Sequence, residues 1–185
     1  EFDVTPASDT DATADAVDEN VAVGTTVGIT AFASDADATT NTVTYSLTDD
    51  AGGLFAIDAN TGVVTVAGAI DRETAASHDI EVTATSTDGS TSAQTYTIAI
   101  NDLDEFDVTP VSDTDATADA VDENVAVGTT VGITAFASDA DATTNTVTYS
   151  LTDDAGGLFA IDAKTGVVTV AGALDRETAA SYDIE

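Results

Sequence analysis

Four short acidic stretches in the first half of the chain hold most of its chemical potential: "DEN" at Asp18, Glu19 and Asn20, "SDAD" with Asp35 and Asp37, "DRE" with Asp71 and Glu73, and "NDLDE" with Asp102, Asp104 and Glu105. Two unit charges 5 Å apart in water repel by about 0.8 kcal/mol, and by more where the dielectric is lower. Gathering several carboxylates within a Debye length of roughly 8 Å is therefore costly unless a cation sits among them. The chain supplies few cations itself, since 35 Asp and Glu face only Arg72, Lys164 and Arg176, giving a formal charge of −32. Alternating D-x-D and D-x-E spacings turn successive carboxylates to one side of an extended segment. Such hard oxygen donors suit Ca²⁺, which takes about six to eight of them, better than Mg²⁺, which keeps its waters and accepts few carboxylates. The competing reading of any single D-x-D is a solvated acidic surface. An EF-hand beginning at Asp9 fails, because Ala14 stands where Gly is required and Asn20 where Glu is required.

The same charge excludes other classes of function. Nucleic-acid affinity comes from Lys and Arg neutralising phosphates, and an anionic membrane surface repels this chain for the same reason. No apolar run approaches the roughly 20 residues needed to span a bilayer, so no membrane insertion is expected. The opening "EFDVTPASDT" lacks the basic end and apolar core of a signal peptide, and the chain reads as an internal segment of something longer. Without Cys there are no disulfides, thiolate zinc sites or cysteine nucleophiles, and any cross-linking falls to oxygen ligands. A 43% apolar content supports a packed core and argues against disorder.

"EFDVTP" opens the chain at Glu1 and returns at Glu105, a period of 104 residues. Over the aligned residues 105–185 only Ala7/Val111, Asn60/Lys164, Ile70/Leu174 and His78/Tyr182 differ. Near-identical copies of domain size point to an array. The expected domains are 1–104, with a linker at about 101–106, and 105–185, which stops short of the counterparts of Val82–Asp104 and so lacks most of the last two strands.

The elements that must hold the carboxylates read as strands, with each acidic stretch at a strand end. "TVTYSL" puts Val43, Tyr45 and Leu47 on one face, "DIEVTATS" aligns Ile80, Val82 and Ala84, and "TYTIAI" aligns Tyr96, Ile98 and Ile100. "LFAIDANTGVVTV" is a hairpin around its "NTG" turn. With "TTVGITAFA" and a first strand within residues 2–17, each period holds about seven strands and no convincing helix. That is the strand count of an immunoglobulin-like sandwich.

The order and spacing of "VDENVAVGTTV", "ASDADATTNTVTYSL", "GLFAIDANTGVV", "AIDRE" and "NDLDE" resemble tandem cadherin repeats of the kind found in large bacterial surface proteins. The resemblance implies all-β, seven-stranded Greek-key sandwiches with Ca²⁺ between successive repeats. Carried over residue by residue, it assigns ligands to Glu19, Asp71 and Glu73 at the base of the first copy. It adds Asp102, Asp104 and Glu105 in the linker, and Asp139, Asp141 and the Asn145 carbonyl at the top of the second. Asp35 and Asp37 would face a preceding repeat, and Glu123, Asp175 and Glu177 a following one. Two departures stand out: Phe106 replaces the Asn that ends the family's linker, and Ser86 replaces the acid of its A-x-D motif, with Asp88 two residues on as a substitute. The Trp that some vertebrate cadherins exchange between partners is missing.

Three functions follow. The first is a calcium-rigidified extracellular spacer in a cell-surface adhesin or matrix fibre, with neighbouring repeats of the same chain as its partners. The second is an array that itself adheres, by homophilic contacts or to a polysaccharide, although the ten aromatic residues read mostly as core. The third is an acidic, salt-adapted domain without a specific metal role. Catalysis is not expected, since the single His78 becomes Tyr182 in the second copy and the paired carboxylates lie at domain ends.

Overall fold

The computed structural model describes residues 2–185 and divides into two compact units, Glu1–Leu103 and Asp104–Glu185. The division falls one residue before the sequence repeat begins. Its cause is local: the Leu103 N–H is bonded to Glu19, whereas the Asp104 carboxyl lies against Asp141.

The first unit is a two-sheet β-sandwich. One sheet runs in the order β1 (Ser8–Asp9), β3 (Thr26–Phe32), β6 (Val63–Val66), β5 (Phe55–Ile57). The other runs β2 (Ala16–Asp18), β8 (Thr91–Asn101), β7 (Ser77–Ser86), β4 (Val43–Asp49). The single first strand expected from sequence is thus two short ones, one in each sheet. β2 lies parallel to β8, Val17 opposite Ile100, while every other pairing in the unit is antiparallel.

Alternation along the strands builds the core. Val27, Ile29 and Val64 from one sheet meet Ile80, Val82, Ala84 and Ile98 from the other in one buried cluster. Burying each such side chain fully contributes about 1.5–3 kcal/mol. Tyr45 spans the sheets, its hydroxyl accepting the Ala33 N–H at 2.9 Å. Gly28 interrupts β3 with φ of 81°, and a Cβ there would stand 2.1 Å from the Ala14 carbonyl oxygen. Only glycine permits that approach, which brings the β1–β2 connection onto the sheet.

The second unit contains one sheet, ordered β11 (Phe159–Ile161), β12 (Val167–Val170), β10 (Thr130–Phe136), β9 (Ser112–Asp113). Val131, Val168, Val170 and Leu174 form its core. Residues 120–122 and 147–153 repeat the sequences of β2 and β4, yet they form no ladder. Their partners in the first unit, β8 and the second half of β7, have no counterpart within the 185 residues, and an unpaired segment cannot satisfy its backbone as a strand. No helix occurs among the described residues, and none is long and apolar enough to cross a membrane.

Candidate metal centre

At the base of the first unit, Glu19, Asp71 and Glu73 each offer a carboxylate oxygen, and these atoms lie within 4.8 Å of one another. Glu19 follows β2 and precedes Asn20, which adopts the left-handed conformation, φ 57°, that asparagine tolerates well. This turn drives Glu19 inward until it is 0% exposed. Its two oxygens accept backbone N–H groups, Oε1 from Leu103 at 2.8 Å and Oε2 from Arg72 at 2.7 Å. One buried carboxylate therefore joins the "DRE" turn to the end of the unit. The Asp71 carboxylate accepts the backbone N–H and the hydroxyl of Thr74, both at 3.0 Å, and these bonds hold its pKa below the usual range. The group is thus ionised and oriented before any cation arrives.

The second unit repeats this base with Glu123, Asp175 and Glu177, again within 4.8 Å. Glu123 Oε2 accepts the Arg176 N–H at 3.0 Å. Hydrogen bonds from Thr178, foremost its hydroxyl, lower the Asp175 pKa.

The upper set of the second unit is built on Asp141, a carboxylate only 1% exposed. Its Oδ1 accepts the N–H groups of Glu105 at 3.1 Å and Phe106 at 3.3 Å, while Asp139 Oδ1 accepts the Asp141 N–H at 3.2 Å. Asp141 Oδ2 is buried and accepts no bond from a backbone N–H or an alcohol hydroxyl. Asp104 lies against Asp141, and the shared proton and mutual repulsion raise its pKa. Burial pushes the Asp141 pKa up, but the Glu105 and Phe106 N–H groups and its carboxylate neighbours outweigh this and hold it down. Phe106, the departure in the linker, contributes its N–H here, and its ring is exposed. Asn145 is exposed, and Asp102, half-buried, belongs to the first unit.

The corresponding upper set of the first unit brings Asp35 and Asp37 together with Asp88, again within 4.8 Å. Asp88 is the acid that the sequence offers, two residues after the vacant A-x-D position, as a substitute for that motif. The Phe2 N–H meets Asp37 Oδ1 at 3.0 Å, as Phe106 meets Asp141. Backbone N–H groups orient ligands in all these sets, and residue types could not reveal them. A buried anionic oxygen without a donor is costly, and Asp35 Oδ2, Asp88 Oδ2 and Asp141 Oδ2 are all in that condition. An all-oxygen, net-negative donor set with buried vacant lone pairs fits a hard divalent cation.

His78 packs edge-on against Phe55, ring centroids 6.0 Å apart, and Tyr182 does the same against Phe159 at 5.9 Å. The two side chains share a packing role. The expectation of few exposed aromatics needs correction, because Phe2, Phe32, Phe106 and Phe136 all stand exposed. Phe32 and Phe136 end their strands on the outer side, where the alternation of the strand places them.

Comparison with known proteins gives the family. The cadherin domain model matches residues 15–101 and 119–185. Protocadherin Fat 4 of Homo sapiens is 38% identical over 173 residues, covering 91% of this chain and 3% of that protein. Cadherin EGF LAG seven-pass G-type receptor 1 of Mus musculus is 41% identical over 136 residues, 71% of this chain and 4% of that protein. The chain therefore spans only a few per cent of the length of these animal relatives. Among solved structures, mouse cadherin-23 EC22-24 superposes with a TM-score of 0.72 at 30% identity, covering 89% of this chain and 52% of that one. With the family model matching most of both units and the sandwich and acidic sets in place, the chain belongs to the cadherin family.

Proposed function

We propose that this chain is a calcium-binding, calcium-rigidified extracellular repeat module, serving as a spacer or stalk in a cell-surface adhesin or matrix fibre of the bacterial type. The observation that carries this reading is the attachment of the linker backbone to ligand carboxylates. Leu103 N–H binds Glu19, and Glu105 and Phe106 N–H bind Asp141. A cation held by Glu19, Asp71, Glu73 and Asp102 would fix the residues before Asp104. One held by Asp104, Glu105, Asp139 and Asp141, with the Asn145 carbonyl, would fix those after it. Without the cation, like charges repel and the segment loosens; with it, both ends of the linker stiffen. Glu123, Asp175 and Glu177 would do the same for a following repeat.

The bacterial placement draws on the near-identity of the two copies, which suits a structure whose function is length. Extracellular placement draws on membership of the cadherin family, whose domains are extracellular in the homologues. Thermal unfolding and small-angle scattering in calcium, then in excess chelator, test the reading. A higher melting temperature and a longer particle in calcium are expected; identical curves in both conditions reject it.

A second reading, that the array itself adheres through homophilic contacts or to a polysaccharide, is favoured by the four exposed phenylalanines. Solution mass at millimolar calcium tests the homophilic form, and monomers at every concentration count against it.

A further inference from the structure

We propose that the cleft between the end of β3, the β5–β6 turn and the residues leading into β4 is a subsite for one ring of a neutral glycan. Phe32 is its stacking platform, and Asn41 and Asn60 are its hydrogen-bonding groups. The inference rests on the adhesive reading of the array given above and supplies the contact surface that reading lacks.

The cleft measures about 380 Å³, at the small end of known ligand sites, and Phe32, 54% exposed, forms part of its wall. Tyr45, buried in its lining, holds the frame together. The Tyr45 hydroxyl accepts the Ala33 N–H at 2.9 Å, and its own N–H donates to the Ala59 carbonyl at 3.0 Å, so one residue ties the end of β3 to the β5–β6 turn. The turn is itself preformed, Asp58 Oδ1 accepting the N–H groups of Asn60 at 3.0 Å and Thr61 at 2.8 Å. Asn41 and Asn60 are exposed at the cleft, and their side-chain amides bond to no other group among the described residues.

Charge and chemistry select the occupant. Asp35, whose carboxylate gathers with Asp37 and Asp88, is the single charged residue in the lining, although the chain carries a formal charge of −32. A cationic partner would therefore find stronger attraction almost anywhere else on the surface. What the cleft concentrates is an apolar ring beside free amides that both donate and accept. A pyranose ring is the complement, with an apolar C–H face and a rim of hydroxyls.

The second unit repeats the frame. Phe136 is 51% exposed, the Tyr149 hydroxyl accepts the Ala137 N–H at 3.0 Å, and the Tyr149 N–H donates to the Ala163 carbonyl at 3.0 Å. Its turn keeps the same backbone, Asp162 Oδ1 accepting the N–H groups of Lys164 and Thr165. Only the side chain is exchanged: Lys164 stands for Asn60, the one difference among the four that changes formal charge. A fixed turn with a varied side chain is what the edge of a recognition surface requires. A single ring in a shallow cleft binds at about millimolar strength. Repetition along an array raises that by effective concentration, which gives near-identical copies a use beyond length.

The test is amide NMR of the full chain at millimolar calcium, titrated into the millimolar range with cellohexaose, xylohexaose and mannohexaose. It is run on the wild type, Phe32→Ala and Asn60→Lys. Both substitutions replace exposed side chains, and unchanged amide dispersion elsewhere verifies the fold. Expected, with at least one of the three sugars, are saturable shifts at Phe32, Asn41, Asn60 and Thr61. Binding should weaken about tenfold in Phe32→Ala. It should also weaken in Asn60→Lys, because an ammonium donates but cannot accept. Undiminished binding in Phe32→Ala overturns the proposal. Saturable shifts confined to residues outside the cleft also overturn it, while leaving the adhesive reading intact. No shift with any of the three sugars overturns both the cleft and the polysaccharide form of that reading.

Discussion

The two units share their sequence at all but four aligned positions, yet they bury it differently. Val4 is 5% exposed, whereas its counterpart Val108 is 50% exposed. Tyr45 and Phe55 are buried in the first unit, and Tyr149 and Phe159 only half-buried in the second. Val43–Asp49 forms β4, while the same seven residues at 147–153 form no strand. The local sequence is equal in each pair, so intrinsic β-propensity does not account for the difference. What differs is the presence of β8 and of the second half of β7, which give β2 and β4 their ladders and close the second face of the core. Strand formation here depends on a partner, as expected where propensity chiefly measures packing against neighbours.

The largest effect should come from erasing that difference. Adding a second copy of the Val82–Asp104 sequence after Glu185 should turn 120–122 and 147–153 into strands and bury Val108, Tyr149 and Phe159. At about 1.5–3 kcal/mol for each large side chain returned to the core, the second unit should gain several kcal/mol. Hydrogen exchange at the 147–153 amides reads this directly, and unprotected amides in the extended chain would refute the partner explanation.

Next in size is Glu19→Ala. It removes the charged acceptor of the half-buried Leu103 and Arg72 N–H bonds, at about 1–3 kcal/mol each. Glu123→Ala removes the acceptor of one N–H, that of Arg176, and should cost about half as much. Urea unfolding of the two variants compares them, and equal losses would show that the Leu103 bond contributes little. Gly28→Ala and Gly132→Ala should each destabilise by at least about 1 kcal/mol from the positive φ alone. The approach to a carbonyl oxygen is 2.1 Å in one copy and 2.2 Å in the other, so here the two units should respond alike.

A smaller effect separates the units by pH. Asp104 has a raised pKa in the folded, metal-free chain, so the folded state holds that proton more tightly than the unfolded one. Its contribution to stability is therefore lost as pH rises from the ordinary carboxylate range through the raised value. Asp71, its second-unit counterpart Asp175, and Asp88 have lowered pKa values and act in the opposite sense, contributing stability that is lost as pH falls below the ordinary range, so Asp104 is what separates the units. In chelator above that window, Asp104→Asn should stabilise the second unit; in calcium the same change should destabilise it. A change of the same sign in both conditions would favour general acidity over specific sites. Smallest of all, Asn60→Lys copies an existing difference at an exposed turn and should shift the unfolding midpoint by no more than about 0.5 kcal/mol.

Much of this was legible in the sequence because period-two alternation and acid spacing are local properties. Val43, Tyr45 and Leu47 share a face, Ile80, Val82 and Ala84 are fully buried, and Glu19, Asp71 and Glu73 converge although 52 residues separate the first two. Other features were not legible. The first strand splits between two sheets because Gly28 admits the Ala14 carbonyl, a contact invisible to any pattern of side chains. Phe32 stands exposed because it ends β3 on the outer face, and which face of that strand is covered is decided by the second sheet.

The sequence by itself determined the repeat, the all-β class and the positions where carboxylates gather, since all three are written in periodicity and composition. Only the tertiary structure decided which carboxylates share a site, which oxygens remain without donors, and which near-identical segments become strands. Asp88 joins Asp35 and Asp37 through a hairpin fold, Glu19 is oriented by N–H groups from distant turns, and β4 exists only beside β7. Each outcome depends on long-range pairing, and hydrogen bonds between distant backbones leave no mark on the residues that make them.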